Sequence, residues 1–289
     1  MVLMIEELFC EMKILNGKAA AAHIKEEVKG IVSEMTKKPC LVVIQVGNNA
    51  ASSTYVRNKQ NACEYCGIKA IEYKLAESTT EEELLNLIND LNNNELVNGI
   101  LVQLPLPVNI DEYRVIQAIS PSKDVDGFHE INAGKLMVGE DTFIPCTASG
   151  IIELLKINNI QIEGKHCVVV GRSNIVGKPT AISLLRNNGT VTICHSKTKD
   201  LKDICKRADI LVCAIGQPKF FNRDYVSQQT VVIDVGIHRQ DDGSLCGDVD
   251  FEDVKDVVSA ITPVPGGVGA MTVAMLMKNC VRAMSYQQN

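Results

Sequence analysis

Short β-rich apolar runs alternate with amphipathic stretches along most of this chain, and few folds accommodate that order. Cys40–Val46 (CLVVIQV), closed by Gly47, is one such run, and Ala70–Leu75 and Gly99–Gln103 are two more. Between the last two, Thr79-Thr80-Glu81-Glu82-Glu83 is a capping-box opening that predicts a helix to about Leu91. This β-α-β rhythm predicts a parallel sheet with right-handed crossovers. A loop-rich passage from Ser120 to Cys146 follows, and then a second series. Strands are expected at His166–Val170, Val191–Cys194, Ile210–Ala214 and Val231–Val235, with helices between them. Asp241-Asp242-Gly243 predicts a hairpin turn. After the glycine-rich stretch 265–269, Thr272–Met284 reads as an amphipathic helix. The two halves are expected to be separate α/β domains, with the tail helix free to return to the first.

A length of 289 residues suits two domains, and 46% apolar with 22% charged residues excludes general disorder. The net charge of −6 argues against nucleic acid or an anionic membrane as the main partner. Eleven cysteines are scattered, and the opening Met1–Met12 is acidic rather than basic. No stretch approaches the roughly 20 apolar residues of a membrane span. These features together predict a reduced, cytosolic protein with buried thiols. Cys63 and Cys66 form a C-x-x-C pair, but a zinc site needs a second pair and none exists, so a coincidence on a helix face is the reading and no metal is expected.

The clearest local motif follows the strand His166–Val170: Gly171-Arg172-Ser173-Asn174-Ile175-Val176-Gly177. Glycine at the strand's end permits a tight turn, a small Ser173 lets backbone approach phosphate, and Gly177 lets the next helix lie close to the sheet. This is a variant dinucleotide fingerprint, with serine for the second glycine. Alone it is weak, since such turns also serve as plain strand-to-helix connections. An NAD site usually has an acid at the end of the next strand. Here that strand ends Cys194-His195-Ser196-Lys197-Thr198, without a carboxylate, and Arg172 lies in the turn. A hydroxyl and nearby cations suit a 2′-phosphate, so NADP is the expected cofactor. A merely solvated Lys197 is the bland alternative.

In the first half, Ser52-Ser53-Thr54-Tyr55-Val56-Arg57-Asn58-Lys59 reads as a helix start, with Ser52 or Ser53 as N-cap and Gly67 after the last turn, so Thr54–Cys66 is expected to be helical. Tyr55 and Lys59 share one face. A lysine drawn into a cleft beside an aromatic ring loses solvation and becomes suited to proton transfer. On spacing alone, a surface Tyr/Lys pair is the stronger reading. Short-chain dehydrogenases carry a Tyr-x-x-x-Lys pair after the dinucleotide turn, whereas this pair precedes Gly171 by over a hundred residues. Val102-Gln103-Leu104-Pro105 leaves the sheet at its proline and places Gln103 at the carboxyl end of a parallel strand, where ligands bind. Lys123-Asp124-Val125-Asp126-Gly127 is an acidic turn in which Asx-turn chemistry accounts for one Asp but not obviously both.

Taken together these blocks resemble the bifunctional methylenetetrahydrofolate dehydrogenase/cyclohydrolases. The matching stretches are Ser52–Lys59, Gly99–Pro105 (GILVQLP), Lys123–Gly127 (KDVDG), Pro145-Cys146-Thr147, Gly171–Pro179 (GRSNIVGKP), His195–Thr198 (HSKT) and Ile261–Thr272 (ITPVPGGVGAMT). They stand in the family's order over nearly the whole chain. One departure is Ala270, where the family usually has proline, and it is expected to loosen a loop slightly. The resemblance implies an α/β protein of two domains: an N-terminal folate/catalytic domain (1–147 with 271–289) and a Rossmann-like NADP-binding domain (148–270), the C-terminal helix packing back on the first. It implies oxidation of 5,10-methylenetetrahydrofolate with NADP⁺ and hydrolysis of the methenyl product to 10-formyltetrahydrofolate.

Carried over residue by residue, Lys59 would move protons and Gln103 would hydrogen-bond it. Tyr55 would pack on the folate ring and Asp126 would accept from the pterin edge. Ser52, Val102, Leu104, Pro265, Gly266 and Gly267 would also lie against folate. Gly171, Arg172, Ser173, Val176, Gly177 and Ser196 would hold the adenosine-phosphate part, with Thr147 and Ile237 near the nicotinamide. A homodimer through the cofactor domain is implied as well. The rival readings are a dehydrogenase without cyclohydrolase activity and a non-catalytic NADP-binding regulator, the second giving Lys59 and Asp126 no purpose.

Overall fold

The computed structural model describes residues 12–287, so most of the acidic opening Met1–Met12 lies outside the described residues. In chain order the first half comprises β1 (Lys13–Ile14), α1 (Gly17–Glu34), β2 (Cys40–Val46), α2 (Ala50–Cys66), β3 (Lys69–Leu75), α3 (Glu81–Asn93), β4 (Gly99–Val102), α4 (Glu112–Ala118) and α5 (Glu130–Val138). The second comprises α6 (Cys146–Ile157), β5 (His166–Val170), α7 (Gly177–Arg186), β6 (Thr190–Cys194), α8 (Leu201–Lys206), β7 (Ile210–Cys213), β8 (Val231–Asp234), β9 (His238–Arg239), β10 (Leu245–Cys246), α9 (Phe251–Val254), β11 (Ala260–Ile261) and α10 (Val268–Tyr286).

Two parallel sheets result. The smaller has the order β3-β2-β4 and the larger β1-β11-β8-β7-β5-β6. In the larger, β6 lies on one side of β5 and β7 on the other, which makes the β5/β7 junction the topological switch point. The β9/β10 pair is antiparallel, as the turn at Asp241-Asp242-Gly243 predicts. Lys13–Ile14 joins the larger sheet beside β11, although it precedes the first-half elements in sequence. The division expected at 147/148 falls inside α6, and that at 270/271 inside α10.

Several local expectations need adjustment. Helix α2 opens at Ala50, not Thr54, because Gly47 turns the chain at φ +79° and the Asn49 carbonyl takes the first intrahelical bond from Ser53 N–H. Ser53 is therefore inside the helix, its hydroxyl bonded to Asn49 O and accepting from Gln45. Gly67 follows the last turn at φ +73°. Thr80 and Glu83 complete the expected capping box at the start of α3. Helix α10 begins four residues early, at Val268, so Ala270 sits in its first turn and donates to Gly267 O at 3.2 Å. Ala270 thus adds a bond rather than loosening a loop, since proline has no N–H to give.

The core explains how the halves hold together. One continuous apolar cluster runs from Ile24 and Val28 of α1 and Cys63 of α2 through Ile151 of α6 and Met277 of α10 to Val169, Val212 and Ile233 of the larger sheet. Separate clusters cover the outer faces of the larger sheet (Val168, Leu211, Val232) and the smaller sheet (Val42, Ile44, Ile100). The tail helix packs on α1, α2 and α6, as its amphipathic pattern anticipates. Ten cysteines among the described residues are buried and unpaired. Burial pushes the Cys63 and Cys205 thiols up to about 12, so they pack as small apolar groups. No helix among the described residues is long and apolar enough to cross a membrane.

Candidate active site

The first cluster forms where β4 ends. Gly99 begins this strand with Val125 pressed against it, and Ile100 N–H donates to Lys123 O at 2.8 Å, so the Lys123–Gly127 turn runs beside β4. Within the turn, three residues hold it in place. Lys123 is buried and caps α3 through Leu91 O and Asn94 O at 3.0 and 2.8 Å. Asp124 is buried and accepts from Gly127 N, His129 N and Asn132 Nδ2 at 3.1, 2.8 and 2.8 Å. Val125 fills the core. Asp124 therefore performs the Asx-turn role, and Asp126 is left for other work.

Lys59 reaches the same place from α2. Its helical stripe continues into the buried Ala62, Cys63 and Cys66, which sets the lysine at the rim of the core. Lys59 Nζ donates to Gln103 Oε1 at 3.0 Å. Gln103 Nε2 donates to Leu104 O at 2.8 Å, which fixes the amide and leaves its oxygen facing the ammonium. Burial pushes the Asp126 carboxyl above its ordinary range, and the nearby Lys59 charge opposes that rise. Cys146, at the start of α6, donates its thiol to Val125 O at 3.4 Å, next to Asp126. Four residues from distant parts of the sequence thus surround one point at a strand's carboxyl end.

A cavity of about 810 Å³ lies between α1, α2 and the loops after β8 and β11, and Lys59, Gln103 and Asp126 are not among its lining residues. It is lined by Tyr55, Ile237 and the Pro265-Gly266-Gly267 loop, with Tyr55 about 40% exposed. That loop sits on the start of α1, where Lys18 N–H donates to Gly266 O at 3.0 Å. The peptide bonds preceding Pro105 and Pro265 are cis. Thr147 bonds Thr272 of α10 through their hydroxyls at 3.2 Å. Val102 is buried and Leu104 half-buried beside Gln103, while the Ser52 side chain lies outside the described residues.

The second cluster lies along the carboxyl edge of the larger sheet, outside the lining of this cavity. Gly171 has φ +139°, and a Cβ there would stand 2.2 Å from Ala214 O across the switch point. A Cβ at Gly177 would stand 2.3 Å from Gly171 O. Only glycine fits either position, which brings the N-terminus of α7 against the end of β5. Ser173 Oγ accepts from Val176 N and Gly177 N at 3.2 Å each, so this serine caps the helix as well as being small. Gly171 N–H donates to Cys194 O at 2.9 Å, placing the exposed Arg172 beside the exposed Ser196 and Lys197 at the end of β6. A turn closed to any side chain, a helix N-terminus and these donors fit a phosphorylated dinucleotide.

Sequence reasoning missed the groups that hold the neighbouring loops. Asp234, at the end of β8, accepts from Gly236 N, Asp248 N and Val249 N at 3.0, 2.9 and 2.9 Å. Asp248 accepts from Ile215 N, Gly216 N, Gln217 N and His238 Nε2 at 2.7 to 3.0 Å. Two buried carboxylates thereby anchor the loops after β7 and β8, including Ile237. Burial pushes Asp234 up to about 6. An Asp closing an apolar strand just before Val-Gly was the available signal.

The same residues are matched by models of known families. Residues 15–126 match the tetrahydrofolate dehydrogenase/cyclohydrolase catalytic domain, and residues 145–288 match its NAD(P)-binding domain. The chain belongs to the tetrahydrofolate dehydrogenase/cyclohydrolase family. The bifunctional protein FolD of Agathobacter rectalis is 61% identical over 94% of this chain and 98% of its own length. That of Acetivibrio thermocellus is 56% identical over 96% and 98%. Among solved structures, the bifunctional FolD dehydrogenase/cyclohydrolase of Campylobacter jejuni is 49% identical, with TM-score 0.92 over 95% of this chain and 99% of that one. The Trypanosoma brucei FolD, solved with NADP cofactor and an inhibitor, is 36% identical with TM-score 0.90 over 95% and 98%.

Proposed function

We propose that this chain oxidises 5,10-methylenetetrahydrofolate to 5,10-methenyltetrahydrofolate with NADP⁺ and hydrolyses that product to 10-formyltetrahydrofolate. The observation that carries this reading is the Lys59–Gln103 bond at 3.0 Å with Asp126 adjacent, at the carboxyl end of β4.

The first step removes hydride from a carbon flanked by two nitrogens, whose lone pairs stabilise the cation, so alignment matters more than a strong base. NADP⁺, when bound, supplies the hydride acceptor. Tyr55 packs on the folate ring from the mouth of the cavity, and Asp126 accepts from the amino-pyrimidinone edge, a two-donor face suited to a carboxylate. Val102, Leu104 and the Pro265-Gly266-Gly267 backbone, with Ser52, complete the folate side. In the second step water attacks the methenyl carbon, and protons move as the ring opens. Lys59 handles those protons, and Gln103 orients its ammonium.

Gly171, Arg172, Ser173, Val176, Gly177 and Ser196 hold the adenosine-phosphate part, with Arg172, Ser196 and Lys197 favouring a 2′-phosphate. Thr147 and Ile237 flank the nicotinamide side. The working division is 1–147 with 271–289 for folate and 148–270 for cofactor, the short β1 strand serving the larger sheet. The partners are tetrahydrofolate derivatives, not nucleic acid or membrane, and the buried unpaired thiols suit a reducing cytosol. A homodimer through the cofactor domain is supported by the outer strand β6, with Ile193 exposed on it.

Absorbance of purified protein with methylenetetrahydrofolate and either NADP⁺ or NAD⁺ tests the reading. We expect reduced cofactor to form, preferentially with NADP⁺, and 10-formyl product without build-up of the methenyl intermediate. Accumulating intermediate would identify a dehydrogenase alone, and no cofactor reduction would refute the assignment.

A further inference from the structure

A second cavity, of about 560 Å³, lies between α6, α7 and α10 and takes no part in the reaction proposed above. Its polar lining is unusual for a chain of net charge −6: Lys156, Arg186, Lys278 and Arg282 contribute four cations against the single carboxylate of Glu153. Two of these cations are engaged. Arg282 pairs with Asp141 and lies over the Tyr286 ring, and Arg186 Nη2 donates to Gly139 O at 3.1 Å. Lys156 and Lys278 make no hydrogen bond or ion pair with the described residues.

A second observation is independent of the charge. Ser183 lines this cavity, its residue is 3% exposed, and its hydroxyl, buried just beneath the lining, has no partner among the described residues, as is true also of Thr180 in the same helix. A buried hydroxyl without a partner is costly, and native structures rarely keep one. Helix ends explain part of the basicity, because Lys156 and Arg186 occupy last turns, where cations complement the dipole. They do not explain Lys278, which lies in the middle of α10, nor the orphaned serine. Ile144, Ile152, Met275 and Val281 supply apolar walls, so the space suits more than a bare ion.

We infer that this cavity is a second ligand site, which takes a small organic anion with its apolar body between the helices and its phosphate or carboxylate facing Lys156 and Lys278. The site stands apart from the cleft but touches its scaffold. Asn279, on its wall, donates to Val125 O at 2.8 Å, next to Asp126.

The test is calorimetric titration of the full-length protein with 1-naphthyl phosphate, 1-naphthoate and neutral 1-naphthol. At least one anion should bind, and naphthol about tenfold more weakly or worse, because the charged group makes the strong contacts. The phosphate binding better identifies a phosphorylated ligand, and the naphthoate a carboxylic one. Lys156→Glu/Lys278→Glu should weaken the anion by more than about tenfold. Lys156→Gln/Lys278→Gln serves if charge reversal impairs folding. Absence of anion binding, equal binding of naphthol, or affinity unchanged in both lysine variants would each overturn the site.

Discussion

The two strand ends that carry the proposed sites are built in opposite ways. At the larger sheet the site is mostly backbone: two glycines with no room for a Cβ, a helix N-terminus, and loops held by Asp234 and Asp248 through six backbone N–H groups. At the smaller sheet it is side chains: Lys59, Gln103 and Asp126, each from a different element, converging on one point. A backbone site suits a common shape, such as a diphosphate, and single side chains count little in it. A side-chain site performs chemistry, and single replacements should be severe there.

The largest expected effect therefore falls on Lys59. Lys59→Met should lower cyclohydrolase turnover by roughly 10²–10⁴-fold, the usual contribution of a positioned proton-transfer group. Cofactor binding should persist, since the turn at Gly171 is untouched. Separate assays of hydride transfer and methenyl hydrolysis decide it, and retained hydrolysis would break the contrast between the two regions.

The backbone region should respond to pH instead. Burial raises the folded-state Asp234 carboxyl to about 6, against about 3.9 in an unfolded chain. The native protein thus holds this proton more tightly than the unfolded one does. The stability it lends is complete below about pH 4 and is lost as pH rises through about 6, up to about 3 kcal/mol in all. Asp124 and Asp126 are raised by burial as well and add slopes of the same sign. Asp234→Asn should flatten the fall in thermal midpoint between pH 4 and 6 without abolishing it. An Asp234→Asn midpoint that follows the same pH slope as the wild type over that interval would contradict the assignment.

How legible each region was follows from the same contrast. The glycine turn is contiguous, so its strand, spacing and helix could be read from residues 166–179, down to the need for glycine at both ends. The lysine cluster joins positions 59, 103 and 126, whose proximity depends on sheet order and on Val125 packing against Gly99. No local spacing encodes that, and only the resemblance of whole blocks brought the residues together. The start of α2 was misplaced for a related reason, because two serines offered a cap while Gly47 had already turned the chain. The Asp234–Asp248 pair escaped notice because its partners are backbone amides, which have no signature in sequence.

The acidic turn allows a sharper test within one motif. Asp126→Ala should weaken folate binding by about 1–3 kcal/mol, the cost of leaving buried donors without an acceptor, and leave the thermal midpoint nearly unchanged. Asp124→Ala should do the reverse at first instance, loosening the turn through the loss of three accepted bonds. Folate titration and thermal melts on both variants separate the roles. If Asp124→Ala melts like the parent while Asp126→Ala unfolds, the two assignments must be exchanged.

The smallest effect is expected at the seam between the regions. Ala270 lies in the first turn of α10, directly after the Pro265-Gly266-Gly267 loop that lines the cleft. Ala270→Pro removes the N–H bonded to Gly267 O, but a first turn tolerates proline, and the ring's restriction of the unfolded chain offsets the lost bond by about 0.4–1 kcal/mol. The net change in stability should stay below about 1 kcal/mol, with KM for folate unaltered. A KM that moves several-fold with no change in melting would mean that the loop's backbone works as a contact to folate and depends on the freedom Ala270 leaves it. The backbone-built character of the larger sheet would then extend across the seam into the folate side.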